Sequence, residues 1–451
     1  MARIETLTAN LRGVPGRISA GVEQVGGRPA VVVRSNPSPG QDSLTAAAGE
    51  AVAAAANHAL AARLPFVGVI STSGSDMGDG VGSLHGWGHA AKALANCSGV
   101  VPIALSVVGS TLAGPALLLG LADFVVMTPD ATAYVSGPQA VAELTARHVA
   151  PADLGGSSVH SRLTGVAAVD ASSDDDAIAI IGSLFSYLPA HSDQQPPVLR
   201  CHDPVDRPTP ELRDVLPLTA TGSYDVRHVV DTIVDDGEML ELRPRWAPQL
   251  VTGLARIGGH PVGVVANQPN ALAGTLDIAA SQKGARFVAM CDSFNLPILT
   301  LVDTPGFLPG KDLEWRGMIR HGAELAFAYA EATTPRVCLV LRKAYGGAYI
   351  VMDSKAMGSD LTLAWPSAEI AVMGAQGAVQ ILHRRSDPET RAAAEADYRD
   401  TLLTPWIAAE RGLVDEVIDP SETRASIASG LSVLVRKRER LRPRKHANGP
   451  L

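Results

Sequence analysis

The stretch RKAYGGAYIVMDSK (Arg342–Lys355) has the residue types of a backbone binding site for an oxyanion. It follows the apolar run Val337–Leu341, so the pattern predicts a strand, a tight turn and the start of a helix. Gly346 and Gly347 allow a positive φ and a close approach of a ligand, and the first turn of a helix supplies N–H groups without partners. Such groups stabilise a negative oxygen without any side chain. The alternative is a glycine turn that only connects a strand to a helix.

The chain contains this strand, turn and helix unit twice. A glycine turn at Gly114 stands where the second half has Gly347, and other motifs recur in the same order at an almost constant spacing. The matching positions are Gly26 and Gly258, Leu64 and Leu296, Gly114 and Gly347, and Gly137 and Gly374. Motifs that recur in order over such a length indicate an internal duplication.

Short apolar runs alternate with helical segments within each half. In the first half the pattern predicts a strand within Gly26–Asn36, a helix over Leu44–Pro65, and strands at Phe66–Ser71 and Val101–Gly109. This alternation predicts an α/β fold made of right-handed βαβ units with mainly parallel strands.

A polar, proline-rich stretch over Leu188–Pro217 separates the two halves. We therefore expect a first domain at residues 1–200, a linker at 201–220 and a second domain at 221–451. After the linker, the acidic segment Tyr224–Leu242 has the pattern of a helix.

Composition limits the class of protein. With 451 residues and a net charge of −8, the chain is long enough for two domains, and its charge argues against a nucleic-acid partner. Its four cysteines form no CxxC pair, which argues against a zinc ribbon or disulfide framework and favours a reducing, cytoplasmic location. Met1–Arg17 lacks a signal-peptide pattern, and prolines and glycines interrupt the uncharged stretch Cys97–Ala122, so no membrane association is expected.

Several long motifs resemble a known enzyme family. In the second half they are Ala266–Gly310, Ile319–Pro335, RKAYGGAY (Arg342–Tyr349) and AWPSAEIAVMGAQGAV (Ala364–Val379). The first half shows a looser likeness through GVGSLHGWG, SGVVPIALSVVG, SGPQAV and LFSYLP. Together they resemble the carboxyltransferase β subunit of biotin-dependent acyl-CoA carboxylases, with propionyl-CoA carboxylase as the nearest type.

The resemblance implies two tandem crotonase-like domains, each a ββα superhelix. In this family, biotin on a separate carrier domain enters against the second half, and acyl-CoA lies against the first half. Members assemble from dimers, commonly three in a ring, so we expect a dimer-based homohexamer whose partner is a biotin carboxylase and biotin carrier α subunit. Carboxyl transfer from carboxybiotin to the α carbon of a thioester develops two oxyanions, which calls for two backbone holes.

The resemblance also implies roles for individual residues. The expected catalytic N–H groups are those of Gly347 and Ala348 for biotin and of Gly114 for the thioester. The expected biotin-binding residues are Gly346, Gly347, Ala348 and Tyr349, and the expected acyl-CoA-binding residues are Gly74, Asp76, Gly80, Gly114, Pro115 and Ile350. No general-base side chain is required and no metal is expected. The histidines His85, His89 and His321 are interpreted as packed or surface residues.

Three residues depart from the family pattern. Asp76 replaces an arginine, and the preceding helix lacks the usual lysine, so we expect weaker binding of the CoA phosphates. Pro115 has no N–H, and losing one oxyanion donor typically costs about 3 kcal/mol of transition-state stabilisation. Either a neighbouring N–H completes the first-half hole, or enolate chemistry is altered or absent. Ile350 replaces an aspartate, which indicates either a larger, more apolar acyl group or a tolerated substitution.

The sequence therefore predicts the carboxyltransferase component of a biotin-dependent acyl-CoA carboxylase, acting on a propionyl-CoA-like, larger or unusual acyl group. The alternatives are a biotin-dependent decarboxylase or transcarboxylase subunit, and a catalytically weak structural partner of a second β-type chain. A hydratase or isomerase fits less well because it needs placed carboxylates, for which Asp76 and Asp79 are the only candidates, and usually has one domain.

Overall fold

The computed structural model describes residues 17–36, 42–219, 221–437 and 439–450. The segment considered for a signal peptide therefore lies outside the described residues, except for Arg17. The chain divides into two compact units, the first ending at Pro197 and the second beginning at Val198. The assignment of acyl-CoA to the first domain and biotin to the second stays a prediction.

The first unit is built on a seven-stranded sheet. Its strands are β1 (Ile18–Val25), β2 (Arg28–Ser35), β3 (Phe66–Thr72), β4 (Ile103–Leu112), β5 (Phe124–Met127), β6 (Thr132–Tyr134) and β7 (Val169–Asp170). They lie in the order β1-β2-β3-β4-β5-β7, and β6 pairs with the end of β4. β1 and β2 form an antiparallel hairpin, whereas the pairings of β2 through β7 are parallel. The mainly parallel α/β architecture predicted from the sequence is confirmed.

Helices connect these parallel strands. They are α1 (Ala46–Ala62), α2 (Val81–Cys97), α3 (Pro138–Thr145), α4 (Pro151–Gly155), α5 (Ser157–Val159) and α6 (Asp174–Tyr187), with a 3₁₀ helix at Gly114–Leu121 and a π turn at His160–Thr164. α1 begins where the Ala48 N–H donates to Thr45 Oγ1. Six of its alanines are buried, and their small side chains let α1 lie close to α2: Ala48, Ala51, Ala53, Ala55, Ala56 and Ala59.

The second unit repeats this plan with one more strand at the edge. Its strands are β8 (Met239–Leu242), β9 (Leu250–Ile257), β10 (His260–Asn267), β11 (Ile298–Thr304), β12 (Arg336–Tyr345), β13 (Leu361–Ala364), β14 (Glu369–Ala371) and β15 (Glu416–Val417). The order is β15-β13-β12-β11-β10-β9-β8, and β14 pairs with the end of β12. A separate apolar core underlies this sheet, with Trp365 fully buried in it.

Apart from α7, which precedes the extra edge strand β8, the helices of the second unit follow the same order among the strands as in the first. They are α7 (Val226–Ile233), α8 (Ile278–Ser293), α9 (Lys311–Trp315), α10 (Met318–Glu331), α11 (Gly346–Val351), α12 (Ala375–Leu382), α13 (Pro388–Leu402), α14 (Pro405–Glu410) and α15 (Thr423–Leu434). Short 3₁₀ turns lie at Pro210–Asp214, Asp235–Gly237, Leu272–Gly274, Lys355–Met357 and Pro420–Glu422. In the described parts of the chain, no helix combines the length and apolar character needed to cross a membrane.

The duplication predicted from the sequence is confirmed by the strand order and by local detail. β1 and β9 begin at Ile18 and Leu250, 232 residues apart, and β3 and β11 keep the same spacing. At the end of β3 the Thr72 hydroxyl accepts from the Gly74 N–H, and at the end of β11 the Thr304 hydroxyl accepts in the same way from Gly306. Corresponding loops therefore leave the two sheets in the same conformation.

Residues 198–219 pack as part of the second unit. The Leu199 N–H donates to the Gly259 carbonyl, and the Thr209 N–H donates to the Ser421 carbonyl. The Leu212 side chain is buried in the core of the second unit.

The prediction of one helix over Tyr224–Leu242 is wrong. The helix α7 ends at Ile233, a 3₁₀ turn follows, and the chain then enters the edge strand β8. The break has a physical cause, because the Asp235 carboxylate accepts from the Gly258 and Gly259 N–H groups and pairs with the buried Arg424. These bonds hold Asp235 against the β9–β10 hairpin, which a continuous helix would not allow.

Two glycines set the distance between α1 and α2. A Cβ added at Gly49 would lie 2.2 Å from the Gly86 carbonyl carbon, and one added at Gly86 would lie 2.8 Å from the Ala46 carbonyl oxygen. The two backbones are therefore in direct contact. This contact sets the spacing of the two helices at the point where they cross.

We predict that Gly49→Ala destabilises the protein by about 1–3 kcal/mol, because neither backbone can move aside without disturbing the sheet beneath. Gly88→Ala on α2, the other helix of the pair, is the matched control, since an added Cβ there meets nothing within 4 Å. Replacing a helical glycine by alanine should raise stability by up to about 1 kcal/mol. Denaturant unfolding of both variants measures the difference, and equal effects would contradict the contact.

Candidate functional site

The turn after β12 carries two N–H groups that find no acceptor in the described part of the chain. Gly346 has φ +60°, and the chain passes from the strand directly into α11. Among the described residues, the Gly347 and Ala348 N–H groups meet no acceptor, as expected for the first turn of a helix. A Cβ on Gly346 would lie 3.2 Å from the Val372 carbonyl oxygen, so both its φ and its surroundings favour glycine.

A buried ion pair between Arg342 and Asp303 fixes the end of the strand that leads into this turn. Arg342 on β12 donates from Nε to Asp303 on β11 at 3.0 Å, and the Lys343 N–H donates to the other oxygen of Asp303 at 3.1 Å. The Asp303 N–H in turn donates to Asn267 at the end of β10. Burial raises the pKa of Asp303, although Arg342 favours its charged form. The network ties the carboxyl ends of three parallel strands together where the turn begins.

The side chains around the turn leave its backbone accessible. A Cβ added at Gly347 would meet only the Phe307 ring, at 3.6 Å. The apolar Phe307 side chain therefore lies beside the Gly347 and Ala348 N–H groups. The Tyr345 hydroxyl donates to Glu369, and the Tyr349 side chain is buried, where desolvation raises its pKa. Ile350 is 39% exposed on α11. The contribution of Tyr349 and Ile350 to ligand binding stays a prediction.

The corresponding turn of the first unit is built differently. Ala113 has φ +57° and ψ −142°, a conformation in which an alanine is strained. Gly114 and Pro115 follow, and the Ala116 N–H already donates to the Ala113 carbonyl at 3.0 Å. Of these residues, only Gly114 keeps an N–H without an acceptor among the described residues. The first turn therefore offers one backbone donor where the second offers two.

The supporting ion pair is also absent from the corresponding place in the first unit. Ser71 lies 232 residues before Asp303, and Gly109 lies 233 residues before Arg342. A Cβ added at Gly109 would be 2.5 Å from the Ser71 hydroxyl, so no longer side chain fits between them. A small residue and a serine thus stand where the second unit has the charged network.

Trp87 on α2 lies against this first turn. A Cβ added at Gly114 would be 2.8 Å from Cε2 and 2.9 Å from Nε1 of the indole. The Trp87 Nε1 atom is buried and has no hydrogen-bond partner among the described residues. A buried donor without an acceptor costs free energy of folding, so its position beside Gly114 calls for an explanation.

The loop at Gly74–Gly80 is organised by Asp76. One carboxylate oxygen accepts from the Gly78 and Asp79 N–H groups, and the other accepts from the Ser43 hydroxyl and lies 3.4 Å from Arg17. The Ser43 hydrogen bond is the main cause that holds the pKa of Asp76 below its ordinary value. These bonds give the carboxylate a role within the loop. Contacts of Gly74, Asp76 and Gly80 with CoA stay predictions.

Sequence reasoning missed three features of these surroundings. The pairing of Asp303 with Arg342 was not predicted, because the spacing of residues in the sequence does not show which strand ends lie next to each other. Trp87 was part of a quoted motif, but its orphaned N–H is visible only in three dimensions. His85 and His89 are one helical turn apart, a spacing that the sequence does show, and the structure brings both close to Glu50.

A duplicated crotonase-like fold with a glycine turn at the end of a central strand in each half is the fold of the carboxyltransferases. Residues 5–449 match the carboxyl transferase domain family, and the chain belongs to this family.

Two curated relatives illustrate the similarity. The propionyl-CoA carboxylase β chain of Saccharopolyspora erythraea is 43% identical over 422 residues, covering 89% of this chain and 77% of that protein. The methylmalonyl-CoA carboxyltransferase 12S subunit of Propionibacterium freudenreichii subsp. shermanii is 42% identical over 399 residues, covering 87% of this chain and 76% of that protein. The family resemblance read from the sequence is confirmed.

Solved structures agree with the fold. A transcarboxylase 12S crystal structure, described as a hexamer with methylmalonyl-coenzyme A and methylmalonic acid bound, matches with a TM-score of 0.94 and 40% identity, covering 96% of this chain and 85% of that one. A single-chain, multi-domain long-chain acyl-CoA carboxylase matches with a TM-score of 0.78 and 30% identity, covering 91% of this chain and 41% of that one.

We predict opposite effects from exchanging the residues that open the two turns. Gly346→Ala should destabilise the protein by about 1–2 kcal/mol, because an L residue is strained at this φ. Ala113→Gly should stabilise it by up to about 1 kcal/mol, since relief of strain outweighs the added entropy of the unfolded chain. Thermal unfolding of the two variants tests this, and a loss of stability in Ala113→Gly would show that Ala113 is unstrained.

Proposed function

We propose that this protein is the carboxyltransferase subunit that moves a carboxyl group between carboxybiotin and the α carbon of an acyl-CoA with a propionyl-like or larger acyl group. The pair of unpartnered N–H groups at Gly347 and Ala348 carries the proposal. Two donors aimed at one point are what a developing oxyanion requires. Membership in the carboxyl transferase family supports the same reaction.

The second-unit turn fits the ureido group of biotin. When bound, carboxybiotin supplies the carboxyl group, and its ureido oxygen carries negative charge as that group leaves. The Gly347 and Ala348 N–H groups would hold this oxygen, and the absence of side chains at Gly346 and Gly347 leaves space for the bicyclic ring. The Phe307 ring beside Gly347 would cover its apolar face. The Asp303 and Arg342 pair positions the turn rather than reacting.

The first-unit turn would hold the thioester oxygen with one backbone donor and one side-chain donor. The Gly114 N–H has no acceptor within the residues that the structure describes, and Pro115 removes the second backbone donor. Trp87 Nε1 is a buried N–H without a partner against the same glycine. We propose that a small movement of the indole on substrate binding turns this N–H towards the oxyanion, so that Trp87 replaces the lost backbone donor.

The proposal extends to partners. The 12S relative is described as a hexamer that binds its substrate in a multienzyme core. We propose that this protein likewise forms a dimer-based homohexamer and receives carboxybiotin from a separate carrier domain on an α subunit. A cytoplasmic location remains part of this proposal.

Two other functions have specific support. The 40% identity with transcarboxylase 12S supports a transcarboxylase subunit, in which the same turns would serve the reverse transfer, from a carboxylated acyl-CoA to biotin, before biotin passes the group to a second acceptor. The single free backbone donor at Gly114 favours a weak catalyst that acts as a structural partner for a second β-type chain. The assay below separates the second of these functions from the proposed one.

We predict that the purified chain transfers a carboxyl group from methylmalonyl-CoA to free biotin, and that Ala348→Pro lowers kcat about 10²–10³-fold. Proline removes one N–H from the proposed biotin hole, and one such donor is typically worth this factor. Proline is compatible with the first turn of a helix, so the fold should persist. Radiolabelled carboxyl transfer measures the rates.

Ala348→Ser is the matched control, because serine keeps the backbone N–H. Near wild-type transfer by this variant together with loss in Ala348→Pro would support the hole. Equal activity of the serine and proline variants would refute the role of this N–H. Absence of transfer in a folded wild-type oligomer that binds CoA would favour the structural partner.

We predict that Trp87→Phe lowers kcat about 10- to 100-fold with little change in KM, because phenylalanine keeps the packing but not the donor. Pro115→Ala in the same chain should restore most of the loss, since it returns a backbone N–H to the turn. Trp406→Phe, at an exposed site on α14, is the control. If Trp87→Phe changes only KM, or if Pro115→Ala restores nothing, the indole is not an oxyanion donor.

A further inference from the structure

Two histidines and a glutamate meet on the outer face of the α1 and α2 pair. His85 and His89 lie one turn apart on α2, and Glu50 lies opposite them on α1. One ligand atom from each residue falls within 4.8 Å of the others. His89 Nδ1 is 2.5 Å from Glu50 Oε1, and the centroids of the two imidazole rings are 4.0 Å apart, with their planes tilted by 51°.

The backbone imposes this arrangement. Glu50 follows Gly49 and His85 precedes Gly86, and these are the two glycines whose backbones are in contact. Glu50 and the histidines are therefore held across the closest point of the helix crossing. Longer residues at the glycine positions would separate the helices and the three side chains with them.

A simple ion pair does not account for the group. The His89 and Glu50 side chains are 47% and 51% exposed, and an exposed pair of this kind stabilises a protein little. The pair also leaves His85 unexplained, although its ring is in contact with that of His89. Two imidazoles and one carboxylate around a common point have the composition of a transition-metal site.

We propose that Glu50, His85 and His89 bind a divalent transition metal ion of the zinc class. Each histidine would contribute one ring nitrogen and Glu50 one oxygen, which leaves a fourth position for water. This position faces a groove of about 330 Å³ between the two helices, lined by Asn57, Lys92 and Asn96. The nitrogen ligands favour Zn²⁺, Cu²⁺ or Ni²⁺ over Mg²⁺ or Ca²⁺. The Lys92 ammonium in the same groove opposes a cation and limits the affinity.

The ion would act as a clamp on the helix that carries Trp87. Trp87 lies between the two histidines in sequence and points from the opposite face of α2 towards Gly114. A metal that joins α1 to α2 would hold this helix against its neighbour. This role is independent of the proposed reaction, because it requires only the two helices.

We predict that the metal-free, EDTA-treated full-length protein binds one Zn²⁺ per chain at this site and that Zn²⁺ raises its Tm. Competition with a chromophoric chelator measures the affinity, and Co²⁺ in place of Zn²⁺ should give the visible absorption of a four-coordinate ion. His85→Gln, His89→Gln and Glu50→Gln should each weaken binding at least tenfold. His148→Gln, at an exposed histidine outside the group, should leave the affinity unchanged.

The three substitutions are at exposed side chains, and circular dichroism verifies that each variant is folded. Absence of Zn²⁺ binding by the wild-type protein would overturn the proposal. Unchanged affinity in Glu50→Gln would also overturn it, because a histidine pair alone is then sufficient. If His148→Gln weakens binding as much as the cluster variants, the ion lies elsewhere and the proposal fails.

Discussion

The left-handed residue that ends the central strand of each half is the constraint on which the site depends. Gly346 in one half and Ala113 in the other turn the chain from a parallel strand directly into a helix. Only this abrupt turn aims the first N–H groups of the helix away from the sheet, where a ligand can reach them. In a longer or extended connection, the same N–H groups would instead donate to water or to neighbouring strands. The strand order is the same in both units, so in each unit the turn follows a central strand of the sheet. A strand buried on both faces cannot shift, and this fixes the position of the turn.

The two halves have kept this geometry and diverged in what surrounds it. In the second half, a charged network of Asp303 and Arg342 joins the ends of three strands. The positive φ at the turn is adopted by a glycine, Gly346. In the first half, Ser71 and Gly109 occupy the place of that network. The positive φ at the turn is adopted there by Ala113, an alanine with a strained backbone. Pro115 then removes a donor that the second half retains. Among the described residues at the first turn, the Gly114 N–H and the buried Trp87 Nε1 atom have no hydrogen-bond partner, and both lie at the place of the loss. The divergence thus concerns how an oxygen is held, while the path of the backbone is preserved.

Much of the fold follows from patterns that depend on neighbouring residues. The Ala-rich helix, the buried strands and the repeat were predicted correctly because propensity, apolar runs and fixed spacing are local or periodic signals. The segment Tyr224–Leu242 was predicted wrongly because its acidic residues look helical until Asp235 meets Arg424, which is 189 residues away. The histidines were interpreted as packed or surface residues, and their proximity to Glu50 was missed for a similar reason. Their partner Glu50 lies on another helix, and the glycine contact that brings it close is a tertiary feature.

The sequence by itself determined the class of this protein. Ordered motifs, a duplication and a glycine turn after an apolar run are sufficient to predict a carboxyltransferase fold, and the family match confirms that reading. The tertiary structure decided which of the turn N–H groups are free, because this depends on acceptors contributed by residues that are not adjacent in the chain. It also decided that Asp76 binds its own loop, that Asp303 pairs with Arg342, and that Trp87 lies on Gly114. Each of these is a contact between separate elements, and such contacts arise from packing geometry, which the order of residues encodes only through the complete fold.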